Sequence, residues 1–144
     1  MKSGLKKILF IAFILLLLVV YFVFFVRKVS FDVTNADSLT IQIRPESGYP
    51  SFSDTITGED LETLKRILGT GTGVVGDSSC FCVGVDLIFS AGGEPIVLYP
   101  AGDDSDSVRF EHNGGDYYFH IGAENKAILQ SILEKYGVIW PFGI

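Results

Sequence analysis

The hydrophobic pattern divides the chain in two. From Ile8 to Val26 the run ILFIAFILLLLVVYFVFFV carries no charge, no Gly, no Pro and, apart from Tyr21, no polar residue. A helix over these positions, rising about 1.5 Å per residue, measures roughly 28 Å, close to the hydrocarbon thickness of a bilayer. A buried core helix would keep a polar stripe, and this run has none. A cleavable signal peptide is the closer rival, but its apolar stretch runs about 7–15 residues and ends in a small-x-small site. Here the stretch is longer and ends Phe24-Phe25-Val26-Arg27-Lys28. The pattern therefore predicts a cytoplasmic tail over 1–7, an uncleaved transmembrane helix over 8–26 and one further domain over 29–144.

Beyond the helix the period changes to that of strands. Phe31 and Val33 alternate with polar neighbours, Asn35-Ala36-Asp37 offers turn chemistry, and Leu39, Ile41 and Ile43 alternate again, which predicts a hairpin. Pro45 to Ser53 reads as a loop. Thr57 reads as the N-cap of a short helix with Glu59 and Asp60 in its first turn, Leu61, Leu64, Ile67 and Leu68 on one stripe, and Gly69 as its stop. The Gly- and Thr-rich segment Gly69 to Ser79 reads as a connector. A long strand is expected from Cys80 to Ser90, with Phe81, Val83, Val85, Leu87 and Phe89 inward and Cys80, Cys82, Gly84 and Asp86 on the opposite face. Ile96–Tyr99 forms the next strand. Val108 and Phe110 then return as Tyr117, Phe119 and Ile121 through Asn113-Gly114-Gly115, a strong hairpin signal. A last helix is expected from Ala123 to Tyr136 with Ala127, Ile128, Ile132, Leu133 and Tyr136 inward, and the apolar tail Val138-Ile139-Trp140-Pro141-Phe142 is expected to pack back onto the sheet or cover an edge.

The order β-β-α-β-β-β-β-α, with hairpins as the short connections, predicts an α+β domain. It consists of an antiparallel sheet with two helices packed on one face, preceded by one transmembrane helix.

Charge sharpens this division. The chain carries −6 overall. Five of its eleven basic residues lie in 1–28, so residues 29–144 hold six basic against seventeen acidic groups, a net of −11. Such a domain is repelled by nucleic acid and by anionic lipid surfaces and attracted to cationic partners or divalent metal ions. Lys2, Lys6 and Lys7 before the helix favour an N-terminus inside and the domain outside, although Arg27 and Lys28 narrow the margin.

Candidate chemistry is sparse. Cys80 and Cys82, two apart on a strand, point the same way with Cα atoms near 6.5–7 Å, the long limit for a disulfide. A disulfide, free thiols, and a redox or metal role all stay open for this pair. Gly69-x-Gly71-x-Gly73-x-x-Gly76 lacks the preceding strand, following helix and lysine of a phosphate loop. Asp103-Asp104-Ser105-Asp106 is acidic enough for calcium but lacks the spacing and distal Glu of an EF-hand. His112 and His120 fall opposite the core face, near Arg109 and Tyr118, with no local nucleophile–base arrangement. Arg109, Tyr118 and His120 thus mark a candidate interaction face.

The helix ITGEDLETLKRIL, the strand VGVDLIF, the hairpin ending GGDYYFHI and the helix ending LEKYG together resemble small membrane-anchored domains of unknown function from Gram-positive bacteria. That resemblance implies a bacterial envelope setting and brings no catalytic residues. The expectation is a non-enzymatic domain that needs no cofactor. It is held in the lipid bilayer through Ile8–Val26 and binds a cationic protein or peptide, with an inhibitor or immunity-like role as one version. The alternatives are an accessory redox or metal-handling domain using Cys80 and Cys82, and a hydrolase of unrecognised site.

Overall fold

Alternating apolar residues produce most of the strands, and the computed structural model describes them within residues 2–25, 28–44, 52–76 and 84–138, with α1 side chains described at Gly4 and Lys6–Phe22. The elements are α1 (Lys2–Phe25), β1 (Lys28–Asp32), β2 (Ser38–Ile43), β3 (Phe52–Ile56), α2 (Gly58–Leu68), β4 (Thr70–Val74), β5 (Val85–Ser90), β6 (Ile96–Pro100), β7 (Ser107–His112), β8 (Gly115–His120) and α3 (Ala123–Lys135). The strands form one eight-stranded antiparallel sheet in the order β1-β4-β8-β7-β6-β5-β2-β3. The protein is thus α+β, with two more strands than its alternation predicts.

One face of the sheet supplies the core. Leu39, Ile41, Ile56, Val85, Leu87, Phe89, Leu98, Val108, Phe110 and Phe119 cluster with Leu61, Leu64 and Leu68 of α2 and Leu129, Ile132 and Leu133 of α3. Burying each of these side chains contributes roughly 1.5–3 kcal/mol. On α3 the buried stripe departs from expectation: Leu129 is buried and Ala127 is exposed. The two helices are also joined by Asp60, which accepts hydrogen bonds from Lys135 Nζ and the Tyr136 hydroxyl. Those partners hold the Asp60 carboxyl below the usual carboxylate range.

The β7–β8 hairpin forms as expected, turning through Asn113 and Gly114, both with positive φ, as a two-residue hairpin loop of type I′ requires. The first expected hairpin does not form. β1 pairs with β4, whereas β2 pairs with β3 and β5, six places along the sheet. In a flat sheet β1 and β2 would lie roughly 29 Å apart. The chain from Asp32 to Ser38 spans at most about 21 Å, so the sheet must curl its β1–β4 wing back toward the core face. Ring contacts agree: Phe31 of β1 lies 4.8 Å from Phe110 and 4.8 Å from Phe119, centroid to centroid. The connection also dips into the core at Val33 and Ala36 and bonds to Gly69 and Ser90, so it is not a free turn.

The end of the expected Pro45–Ser53 loop, whose residues 45–51 lie outside the described residues, and the start of the expected Gly69–Ser79 connector belong to strands. Phe52–Ile56 pairs with β2, burying Ile56, and Thr70–Val74 pairs with β1. In β4 the glycines face inward, and a Cβ on Gly71 would stand 2.5 Å from the Phe31 ring, on Gly73 2.5 Å from the Phe110 ring. The aromatic rings occupy the space that side chains on β4 would have filled.

Helix ends show smaller corrections. Thr57 is extended and makes no side-chain cap, and Gly69 is right-handed, closely packed against Lys65 and Thr34. Gly137 is left-handed, and with Val138 it closes α3 through bonds to Glu134 and Leu133, a Schellman stop. Of the expected tail Val138 is buried and residues 139–142 lie outside the described residues, as do residues 77–83 of the expected connector and long strand.

Among the described residues no helix is long and apolar enough to cross a membrane. Within α1 the uncharged side chains described run from Ile8 to Phe22, about 22 Å of helix. The helix backbone itself continues to Phe25.

Candidate functional site

The outer face of the sheet carries Thr40, Gln42, Asp86, Tyr99, Arg109 and Tyr118. Arg109 and Tyr118 are direct cross-strand partners, and His120 follows on the same face opposite Ser107. The three expected interaction residues are therefore brought onto one surface. Arg109 is largely engaged there. Its guanidinium lies 4.3 Å from the Tyr99 ring centroid and within 3.5 Å of Glu111 and 3.4 Å of Asp116. Arg44 approaches the same ring at 5.8 Å while its Nε meets Asp86 at 3.1 Å. Burial, with Glu111 and Asp86 nearby, pushes the Tyr99 hydroxyl above its ordinary pKa.

His120 sits beside Asp106 and Ser107, the three residue types of a nucleophilic triad. Their geometry is different. Asp106 Oδ1 is 2.7 Å and Ser107 Oγ 3.2 Å from the same ring nitrogen, Nδ1. A relay needs the acid and the nucleophile on opposite nitrogens, and Ser107 is buried. The cluster instead fastens the β8–α3 junction, because Asp106 Oδ2 also accepts the Gly122 N–H. The hydrogen bond from His120 is the main cause that lowers the Asp106 pKa.

The acidic loop is likewise used internally. Asp103 accepts the Ser105 N–H, and its carbonyl accepts Lys126 Nζ. Among the described residues no group of three His, Cys, Asp or Glu side chains is placed to hold a metal ion. Cys80 and Cys82 lie outside the described residues, so their redox or metal reading rests on sequence.

The main concavity lies where the curled β1 approaches β6 and β7. The β6–β7 ladder runs only through Leu98↔Phe110, Tyr99↔Arg109 and Pro100↔Val108, leaving Ile96 and Val97 unladdered against Glu111 and His112. The strands part there, and a cleft of about 570 Å³ opens. Its walls combine Phe31, Ile96, Val97, Tyr99 and Phe110 with Asp32, Glu94, Glu111 and His112, and among the described residues no Lys or Arg lines it. Asp32 is held ionised by the Thr34 hydroxyl and backbone N–H, which lower its pKa. Aromatic walls with carboxylates at the rim suit a cation carried on an aliphatic stem.

Sequence reasoning did not single out Asp32, Glu94 or Glu111. The mistaken β1–β2 pairing hid them, since only the curl brings Asp32 toward the β6–β7 gap. The one signal pointing this way was the acidity of residues 29–144, which predicts a cationic partner. Comparison with known protein families, curated proteins and solved structures finds no match to this chain.

Proposed function

We propose that the chain is a single-pass membrane protein whose domain, on the outer side of a bacterial cell membrane, binds a cationic peptide segment of a protein partner without catalysing a reaction. The observation that carries the binding role is the cleft: aromatic walls and three carboxylates, of which Glu111 is shared with Arg109, and, among the described residues, no Lys or Arg in its lining. The anchor is supported by α1, whose apolar side chains from Ile8 to Phe22 are exposed on all sides. Such a helix has no stable place in water and fits lipid. The α1 backbone continues to Phe25, about 27 Å of helix from Ile8, close to the hydrocarbon thickness of a bilayer.

The partner enters with Lys or Arg side chains between Phe31 and Tyr99, its charges meeting Asp32, Glu94 and Glu111. Arg109 reaches toward this entrance through its contacts with Tyr99 and Glu111, and Tyr118, its cross-strand partner on β8, extends the surface along the outer face. An inhibitor or immunity-type role is one form such binding takes.

Binding is tested with the full chain in nanodiscs and a fluorescent peptide library of Lys/Arg-containing hexamers, acidic hexamers serving as control. Selective retention of basic sequences, weakening as salt rises, is expected. Equal binding of acidic and basic peptides, or none, contradicts the reading.

A further inference from the structure

The domain leaves one small apolar edge open. Outside α1, the exposed large apolar side chains among the described residues are Val74 at 48% and Val75 at 52%. Val74 ends β4 and is the direct partner of Lys28, the first residue of β1. Lys28 follows Phe25, the end of α1, by three residues, a reach of at most about 11 Å. A cross-strand partner adds about 5 Å. Val74 therefore lies within roughly 16 Å of the end of the apolar helix, whatever path residues 26 and 27 take. The polar layer beyond the hydrocarbon is itself about 5–8 Å thick, so a modest tilt brings both valines into it.

Charge permits the same contact. The cross-strand partner of Val74 is Lys28, which Arg27 precedes in sequence, whereas the rest of the domain is strongly acidic. Basic side chains near a membrane surface are drawn to anionic headgroups. An acidic domain would otherwise be pushed away from them.

We propose that Val74 and Val75 form a membrane-docking edge, seated in the headgroup layer beside the exit of α1, which holds the domain in one orientation. This inference rests on the reading of α1 as a transmembrane anchor. Its consequence is that β1, which supplies the Phe31 and Asp32 wall of the cleft, runs next to the lipid. The cleft then faces partners arriving along the membrane surface.

The test uses the full chain in phosphatidylcholine–phosphatidylglycerol vesicles with lipids brominated near the top of the acyl chain. The single tryptophan, Trp140, is changed to Phe, and one Trp is introduced at a time. Val20→Trp reports the anchor, Val75→Trp the proposed edge, and Thr55→Trp the opposite edge strand. Quenching of Val20→Trp and at least about twofold quenching of Val75→Trp are expected, with Thr55→Trp unaffected. Adding Val74→Asp should restore the Val75→Trp emission, which guards against insertion driven by the new ring. If Val20→Trp is quenched and Val75→Trp is not, the docking edge is wrong and the anchor stands. If Val20→Trp is not quenched, the anchor fails and the docking edge with it. Hydrogen exchange of the unmodified chain gives an independent check. The 74–76 segment should exchange more slowly in anionic nanodiscs than in a Val74→Asp/Val75→Asp variant, and equal rates overturn the proposal.

Discussion

The two ends of the sheet are built on different principles. At one end β2 runs its whole length against β5 and carries β3 outside it, with Leu39, Ile41, Ile56, Val85 and Leu87 buried in the core shared with α2 and α3. At the other end β4 touches β8 through the single pairing Val74↔Tyr118, and its inward residues are glycines. Bulk side chains and a continuous ladder hold the first end. The second is held by rings: Phe31, Phe110 and Phe119 meet in tilted and edge-on contacts over glycine backbone and draw the wing inward. The difference matters for function because the ring-held wing, and not the ladder-held end, forms a wall of the cleft.

This contrast can be broken experimentally. Leu87 is fully buried in the ladder-held end, and Leu87→Ala should cost about 4 kcal/mol of global stability, measured by denaturant unfolding. Gly73→Val should cost less, about 2–3 kcal/mol, since its branches must displace the Phe110 ring. Its exchange signature should also differ, with β1 and β4 amides losing protection while β5 keeps its own. If Gly73→Val instead unfolds the whole sheet as Leu87→Ala does, the two ends are one cooperative unit and the contrast fails.

The smallest effect concerns pH. Asp106 has a lowered folded pKa, so its contribution is present above the ordinary carboxylate pKa and is lost as pH falls through the folded value. The pair with His120 is solvent-accessible, so the effect should stay below about 1 kcal/mol. Asp106→Asn should flatten that part of the acid limb, read by thermal melts between pH 6 and 2. An unchanged acid limb would remove Asp106 from the account.

The same contrast explains what sequence could reveal. Period-two alternation of large apolar residues located β5, β6, β7 and β8 and their inward faces, because there the side chains themselves fill the core. In β4 the alternation is Gly and Thr, Thr70-Gly71-Thr72-Gly73-Val74, and the inward position is filled by rings from other strands. A search for large residues passes over such a strand. β3 was hidden similarly, since Ile56 is its one fully buried side chain and Asp54 lies at the sheet edge, exposed. The pairing of β1 was beyond local pattern altogether: it depends on the curl, and the cleft depends on it in turn. Arg109, Tyr118 and His120 were readable as sharing a face because a turn through Asn113-Gly114 or Gly114-Gly115 shifts the register by two and leaves the facing unchanged.

The central claim is that the cleft is an anionic seat for a basic peptide. It is tested most directly by measuring the affinity of a selected Lys/Arg hexamer for the full chain and for Asp32→Asn/Glu94→Gln/Glu111→Gln in nanodiscs. These side chains are on the surface, so fold and melting temperature should be nearly unchanged. The account predicts at least about a tenfold loss of affinity and a flatter salt dependence. Unchanged affinity and salt dependence in a folded triple variant would show that the peptide binds elsewhere.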